Sequence, residues 1–324
     1  MKIAKHRQKV FLTGGNGMLG RNILYHPLSA KWDFFAPDRK ELDLTNFNLL
    51  VEYIDNIKPD YIIHAAGHIG GINANVQNPV DFLVNNLDLG RNVVLAAHQT
   101  RIKKLLNIGS SCMYPRNAPN PLKEDMILKG ELECTNEGYA LAKIVTQRLC
   151  EYIHTENNTY QYKTMIPCNL YGCFDKFELY RAHLIPAIIN KMHHIIKEEK
   201  TECEIWGDGK SRREFMYAGD FSDAILYALD NFDNMPSLLN IGTGIDYTIN
   251  EYYSIVANLM NYQGNFCYNL DKPAGMNQKL VSIEKQIKWG WESTTNIEEG
   301  IKRTYNCYLQ GQIYKDGVKT KRNQ

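Results

Sequence analysis

Long apolar runs are missing from this chain of 324 residues, and no segment has the continuous hydrophobic length that a bilayer span needs. An excess of charge of one sign is missing too. The 37 basic and 36 acidic residues leave a formal net charge of +1, which argues against the broad basic footprint of a nucleic-acid binder. The eight cysteines fall at no CxxC or zinc-finger spacing, so neither a redox motif nor a structural metal site is expected, and most are read as buried thiols. His193-His194 has no carboxylate or cysteine at supporting spacing and is read as solvated helix surface. Met1 to Gln8 is basic and polar and lacks the apolar centre of a secretory signal, which points to the cytoplasm. There is no internal repeat and no low-complexity tract.

What is present is organised around Lys104 to Lys143. An apolar strand, Leu105 to Ile108, stops at Gly109-Ser110-Ser111-Cys112, and the stretch closes with Tyr139-Ala140-Leu141-Ala142-Lys143 at the start of an expected helix. Positions four apart on a helix share a face, with Cβ atoms about 5–6 Å apart. Tyr139 and Lys143 can therefore enter one pocket, where the ammonium would favour loss of the phenolic proton. A serine hydroxyl at the strand end, Ser110, is placed to hold a carbonyl oxygen beside that phenol. Ser, Tyr and Lys together move a proton on or off a carbonyl or alcohol oxygen. A Tyr and a Lys four apart also occur in ordinary helices. The start of the chain gives the pair its meaning.

Val10 to Thr13 is β-prone and runs into Gly14-Gly15-Asn16-Gly17-Met18-Leu19-Gly20, followed by an apolar-periodic segment. Strand, glycine-rich turn and helix in that order is the context of a dinucleotide-binding fingerprint. Gly14 permits the tight turn, Gly17 lets backbone amides approach a pyrophosphate, and Gly20 lets helix and strand pack closely. Residues 1–168 alternate strands (Val10–Thr13, Trp32–Ala36, Tyr61–Ala65, Leu105–Ile108, Thr164–Pro167) with helical patterns at 18–26, 46–57, 80–99 and 137–156. That alternation predicts an α/β class fold, a doubly wound parallel Rossmann sheet. His64 and His68 flank the end of the third strand and are read as lining of the cofactor cleft. From Asn169 the pattern becomes mixed and Tyr- and Asn-rich, as expected of a smaller α+β substrate lobe. The tail beyond Asn306 is polar and basic and is read as frayed.

At the end of the second strand Asp38 stands where an acidic residue would bind the ribose hydroxyls of NAD, but Arg39 and Lys40 follow at once. A guanidinium can clamp a 2′-phosphate through two hydrogen bonds, so Arg39 favours NADP(H).

The chain resembles the extended short-chain dehydrogenase/reductases that modify nucleotide sugars, and within them the GDP-L-fucose synthase family of GDP-4-keto-6-deoxy-mannose epimerase/reductases. The residues that carry the likeness begin with Gly17-Met18-Leu19-Gly20, Ala65-Ala66 through Gly70-Gly71-Ile72-Asn73-Ala74-Asn75, and Gly109 through Pro115. They continue with Tyr139 to Lys143, Asn169-Leu170-Tyr171-Gly172, His183 through Ala187, Trp206 through Phe215, and Asn240 through Gly244. The resemblance implies NADPH as cofactor, with Gly14, Gly17, Met18, Leu19, Gly20, Arg39, Ala65, Ala66, Tyr139 and Lys143 around it. Residues near 214–243 would return to the nucleotide domain, and helices near 80–99 and 137–156 would pair two subunits into a homodimer.

The same resemblance implies a second reaction. A 4-keto sugar has acidified C–H bonds at C3 and C5, and inverting either carbon needs a base on one face and an acid on the other. A thiol of pKa ~8.5 and an imidazole near ~6.5 bracket neutrality and suit that exchange. Cys112 and His183, the latter in a helix-like run from Arg181 to Met192, would be the two partners. Asn169, Lys191, Trp206, Arg213 and Lys279 would hold the GDP-4-keto-6-deoxy sugar. The chain departs from the family at Asn16 and Lys191, where arginine is usual, and at Cys173-Phe174-Asp175-Lys176-Phe177, where proline usually opens the loop. Those departures leave open a GDP-4-keto-6-deoxy-heptose C4-reductase without epimerase activity. A non-catalytic sensor on the same fold has no need of the Ser110/Tyr139/Lys143 relay.

Overall fold

The computed structural model describes residues 7–178, 182–271 and 276–311. Its first half builds one parallel sheet: β1 Lys9–Thr13, α1 Met18–Tyr25, β2 Asp33–Phe35, α2 Phe47–Ile57 and β3 Tyr61–His64, then α3 Ile72–Gln77, α4 Pro79–Gln99, β4 Lys104–Ile108, α5 Glu137–Glu156 and β5 Gln161–Pro167. Every strand and helix expected over residues 1–168 is found, with ends shifted by up to three residues. The second half holds β6 Asn169–Tyr171, α6 Leu184–Lys197, β7 Glu202–Trp206, β8 Arg212–Arg213, β9 Phe215–Tyr217, α7 Ala218–Asp230 and β10 Leu238–Ile241. It continues through β11 Tyr247–Thr248, α8 Ile249–Leu259, β12 Asn265–Asn269, β13 Gln278–Lys279, α9 Glu284–Trp289 and α10 Ile297–Leu309.

The main sheet runs in the order β2-β1-β3-β4-β5-β10, all parallel. Successive strand residues point to opposite faces. Val10 and Leu12 of β1 therefore enter the core beside Phe221 and Ile225 of α7, whereas Phe11 enters the opposite core with Leu50 and Ile54 of α2 and Val93 of α4. A parallel sheet covered on both sides needs such unbroken apolar strands. Each buried Leu, Ile or Phe contributes roughly 1.5–3 kcal/mol of transfer free energy. A third core joins α6, α8, β7 and α10 through Ile185, Ile189, Met192, Ile205, Tyr252 and Ile301. Small sheets β11-β8-β13, β12-β7 and β6-β9 complete this second half.

Glu214, fully buried between β8 and β9, ties that segment to the loops that follow β10 and β13. Its carboxylate accepts from the amides of Thr243 (2.6 Å), Gly244 (2.8 Å) and Val281 (2.9 Å). Burial pushes its pKa up to about 7 against those three donors.

Three expectations need correction. Only Cys150, Cys168 and Cys203 are buried thiols. Cys134 and Cys267 are exposed, Cys112 is half-buried, and Cys173 and Cys307 form a disulfide with Cα atoms 5.4 Å apart. That pair is 134 residues apart in the chain, so only the fold could bring it together. His193 is not free surface, since its Nδ1 lies 3.3 Å from the Tyr305 hydroxyl and its ring meets Tyr308 edge-on. Asn306 to Leu309 belong to α10, while the basic tail from 312 onward lies outside the described residues. Among the described residues no group of three His, Cys, Asp or Glu could hold a metal ion, and no helix is long and apolar enough to cross a membrane.

Candidate active site

A continuous cleft of about 1710 Å³ runs from the glycine turn after β1 to Lys279 on β13. It follows the carboxyl ends of β1, β3, β4 and β5, the edge where open parallel sheets bind ligands.

The β1–α1 turn is built for close approach. Gly14 has φ +76°, and a Cβ there would lie 2.8 Å from the Ala66 Cα. A Cβ on Gly20 would meet the Gly14 carbonyl oxygen at 2.2 Å, so only glycine lets α1 start this close to the strand. Gly17 is the N-cap of α1 and supplies no side chain to the helix's first amides. Those amides are left for an anion, which the helix N-terminus favours electrostatically. Ala65 and Ala66 form the opposite wall. The turn therefore fits the pyrophosphate of a dinucleotide.

The loop after β2 draws Asp38 into a turn of its own. Its Oδ1 accepts from the amides of Lys40 (2.8 Å) and Glu41 (3.0 Å), and Glu41 reaches back to the Asp38 amide. One oxygen of the carboxylate is thus used within its own turn. Arg39 and Lys40 are exposed along the same cleft, as a 2′-phosphate requires. His64 lies below the cleft, with Nδ1 3.0 Å from the Thr13 hydroxyl and a pKa drawn down to about 3, mainly by burial, which keeps it neutral. His68 does line the cleft, packed against Phe82.

At the end of β4, Ser110 caps a short helical turn, its Oγ accepting from the Cys112 amide at 3.2 Å. The turn brings Cys112 back into the cleft. Tyr139 and Lys143 rise from the first turns of α5 beside it. Lys143 is buried. Its Nζ donates to the Ile108 carbonyl at 2.9 Å and lies 5.9 Å from the Tyr139 ring centroid, and burial draws its pKa down to about 8. Tyr139 departs from expectation. Burial pushes its pKa up, and Cys112 adds to the rise, while a hydrogen bond with Ser110 opposes it. In this setting the phenol holds its proton, the state a proton donor requires.

Cys112 receives two donors. The Asn136 carboxamide Nδ2 lies 3.2 Å from Sγ, and the Lys279 ammonium lies 3.5 Å away, from a residue 167 positions along the chain. Both donors use the sulfur as a hydrogen-bond acceptor. His183 stands at the N-cap of α6 and not inside the helix, and Arg181 lies outside the described residues. Its pKa is lowered by burial first, then by Lys176 and Lys279. Lys279 thus faces both Cys112 and His183.

Around them, Asn169 donates to the Glu214 carbonyl at 2.8 Å, and the Lys191 ammonium donates to the Glu204 carbonyl. The exposed Trp206 indole donates to the Glu204 carboxylate at 3.0 Å. Arg213 is largely removed from solvent, which lowers its pKa, with Glu133 opposing.

The family described as NAD dependent epimerase/dehydratase matches residues 10–242. This chain belongs to that family. It is 51% identical to a GDP-L-colitose synthase of Yersinia pseudotuberculosis, over 93% of this chain and 98% of that one. It is 44% identical to a GDP-L-fucose synthase of Azorhizobium caulinodans, over 94% of this chain and 97% of the relative. Among solved structures, the GDP-mannoheptose C4 reductase of Campylobacter jejuni with NADP bound superposes with a TM-score of 0.84 at 30% identity, covering 95% of this chain and 100% of that one. Membership of the family accords with the glycine turn, the parallel sheet and the Tyr139/Lys143 pair.

Apart from His64, every residue singled out from the sequence as catalytic, cofactor-binding or substrate-binding lines this one cleft, although they span positions 14 to 279. Sequence reasoning missed Asn136, Glu133 and Lys176, which line it as well. Asn136 carried a signal, since it is an N-cap type of residue three positions before Tyr139, but nothing in the sequence shows where its side chain turns.

Proposed function

We propose that this protein is an NADPH-dependent epimerase/reductase of a GDP-4-keto-6-deoxy-hexose, giving GDP-L-fucose. The chemistry is that of an NADP-dependent sugar-nucleotide oxidoreductase. When bound, the cofactor supplies the hydride. Arg39 holds its 2′-phosphate, Lys143 its nicotinamide ribose, and the Gly14–Gly20 turn its pyrophosphate. Arg213, Lys191, Asn169, Trp206 and Lys279 hold the GDP-sugar.

The observation that carries the epimerase half is a cysteine sulfur held by an ammonium and a carboxamide in the same cleft as Ser110, Tyr139 and His183. Cys112 as thiolate removes the proton from the carbon beside the ketone. The C–H electron pair moves into the ring to form an enolate, whose oxygen Ser110 and Tyr139 hold. His183 returns a proton from the opposite face. Burial first, then Lys176 and Lys279, lower the pKa of His183, so its imidazolium, when formed, is a strong acid. Tyr139 then gives its phenolic proton to the C4 oxygen as that carbon is reduced.

A second reading rests on the 51% identity to the GDP-L-colitose synthase. Colitose is the 3-deoxy counterpart of fucose, so C3 is no stereocentre and only C5 needs inversion. Turnover of GDP-4-keto-6-deoxy-mannose with NADPH in D₂O, read by NMR, separates the readings. Deuterium at C3 and C5 of a GDP-L-fucose product is expected. Turnover confined to the 3-deoxy ketone, with deuterium introduced by inversion at C5 alone, supports the colitose reading. Reduction with no exchange points to a heptose-type C4-reductase.

For the cofactor, Arg39→Ala is expected to raise the KM for NADPH about tenfold to a hundredfold through loss of a charge-assisted phosphate contact, with little change for NADH. Equal change for both would remove Arg39 from this role.

The protein is proposed to act as a homodimer. Val80 and Val84 of α4 and Leu141, Val145 and Tyr152 of α5 leave an apolar stripe in solvent, from 38% exposed at Leu141 to 69% at Val80. A second copy would cover it. Val145→Asp should give monomers by light scattering; an unchanged dimer would place the interface elsewhere. The reaction belongs to cytoplasmic nucleotide-sugar supply for surface polysaccharide.

A further inference from the structure

Asn136 occupies the N-cap of α5, the helix that carries Tyr139 and Lys143. Asparagine is favoured at that position because its side-chain oxygen can accept from the amides two or three residues on. Here it makes no such bond. Its carboxamide turns away from its own helix, and Nδ2 lies 3.2 Å from the Cys112 Sγ. Its Oδ1 is buried and without a hydrogen-bond partner. A side chain that gives up a helix cap and leaves a buried acceptor unpaired is held in a locally unfavourable arrangement, and such arrangements concentrate at functional sites. Among the described residues the bond to the sulfur is the only hydrogen bond of the Asn136 side chain.

We propose that Asn136 is a positioning residue for Cys112, fixing the sulfur as a hydrogen-bond acceptor and tying it to the helix that presents Tyr139. This rests on the reading of Cys112 as the carbon base. Lys279, the other donor on the sulfur, comes from β13, so the sulfur is held between the two halves of the molecule. Lys279 supplies charge and Asn136 supplies direction. Because Asn136 is three residues from Tyr139, the inversion group and the reduction group share one rigid support.

The informative variant is Asn136→Ser. Serine is an N-cap residue as good as asparagine, but its short side chain cannot reach the sulfur. The helix regains a cap while the sulfur loses its partner. Three quantities are measured for wild type, Asn136→Ser and Cys112→Ser. They are exchange of substrate C–H into D₂O, NADPH-dependent reduction of a ketone that has already been inverted, and the rate at which iodoacetamide labels Cys112 at neutral pH, followed by peptide mass spectrometry. Melting temperature is recorded alongside. The expected result for Asn136→Ser is a melting temperature at or above wild type, a ratio of exchange to reduction lower by about tenfold to a hundredfold, as misplacement of a reacting group costs, and slower labelling of Cys112. Exchange and labelling at wild-type rates would overturn the inference, as would equal loss of exchange and reduction, which marks a merely structural role. Cys112→Ser keeps the two questions apart. If that variant still exchanges, the assignment of Cys112 as base fails. If it does not exchange and Asn136→Ser does, only the inference about Asn136 fails.

Discussion

Replacing Tyr139 with phenylalanine lowers kcat for ketone reduction about a thousandfold, within the range that loss of a positioned proton donor costs. The ring remains and the packing around it is kept, so the protein should fold as before. The pH profile of wild type identifies which group limits the reaction. Burial pushes the phenol's pKa up, so Tyr139 keeps its proton throughout the neutral and mildly alkaline range. Lys143, drawn down to about 8 by burial, is charged below that value and loses its charge above it. Reduction should therefore fall as pH rises through about 8, with the limb belonging to Lys143. Lys143→Arg, whose side chain stays charged, should move that limb to higher pH even if its rate is lower. An alkaline limb that stays in place in Lys143→Arg, or a Tyr139→Phe enzyme with near-normal kcat, would contradict the assignment.

Replacing Cys112 with serine should reduce hydrogen exchange at the sugar carbons by about a hundredfold to a thousandfold, the scale of general-base catalysis. Serine has nearly the size of cysteine and fits between Asn136 and Lys279, but its hydroxyl does not ionise in the range where a thiol does. A ketone that no longer requires inversion should be reduced with a far smaller loss, because its carbonyl is served by Ser110 and Tyr139. The experiment reads deuterium incorporation and NADPH oxidation in one sample. Equal loss of both would show that Cys112 shapes the cleft and does not remove the proton.

Much of the fold is legible in the sequence because its signals are local. The unbroken apolar strands around Phe11, Ile62 and Leu105 can only belong to a sheet covered on both faces, and Gly14, Gly17 and Gly20 fix a turn by lacking a side chain. Ser110 at a strand end and Tyr139 to Lys143 on a helix are likewise set by near neighbours. The less legible features depend on distant ones. Lys279 reaches Cys112 across 167 residues, Cys173 reaches Cys307 across 134, and β10 closes the main sheet beside β5 after an excursion through the second half.

The sequence by itself determined the strand–glycine–helix opening, the doubly wound class and the residue types that meet in the cleft, since backbone sterics and apolar periodicity act over a few residues. Only the tertiary structure decided the charge states and directions of those residues. Burial, which no window of sequence measures, holds the proton on Tyr139 and weakens the charge of Lys143. The packing of loops turns Asp38 onto its own backbone and Asn136 onto the sulfur of Cys112. Desolvation and hydrogen-bond geometry are properties of the assembled site, which is why the same residues read in line gave the parts of the site but not their states.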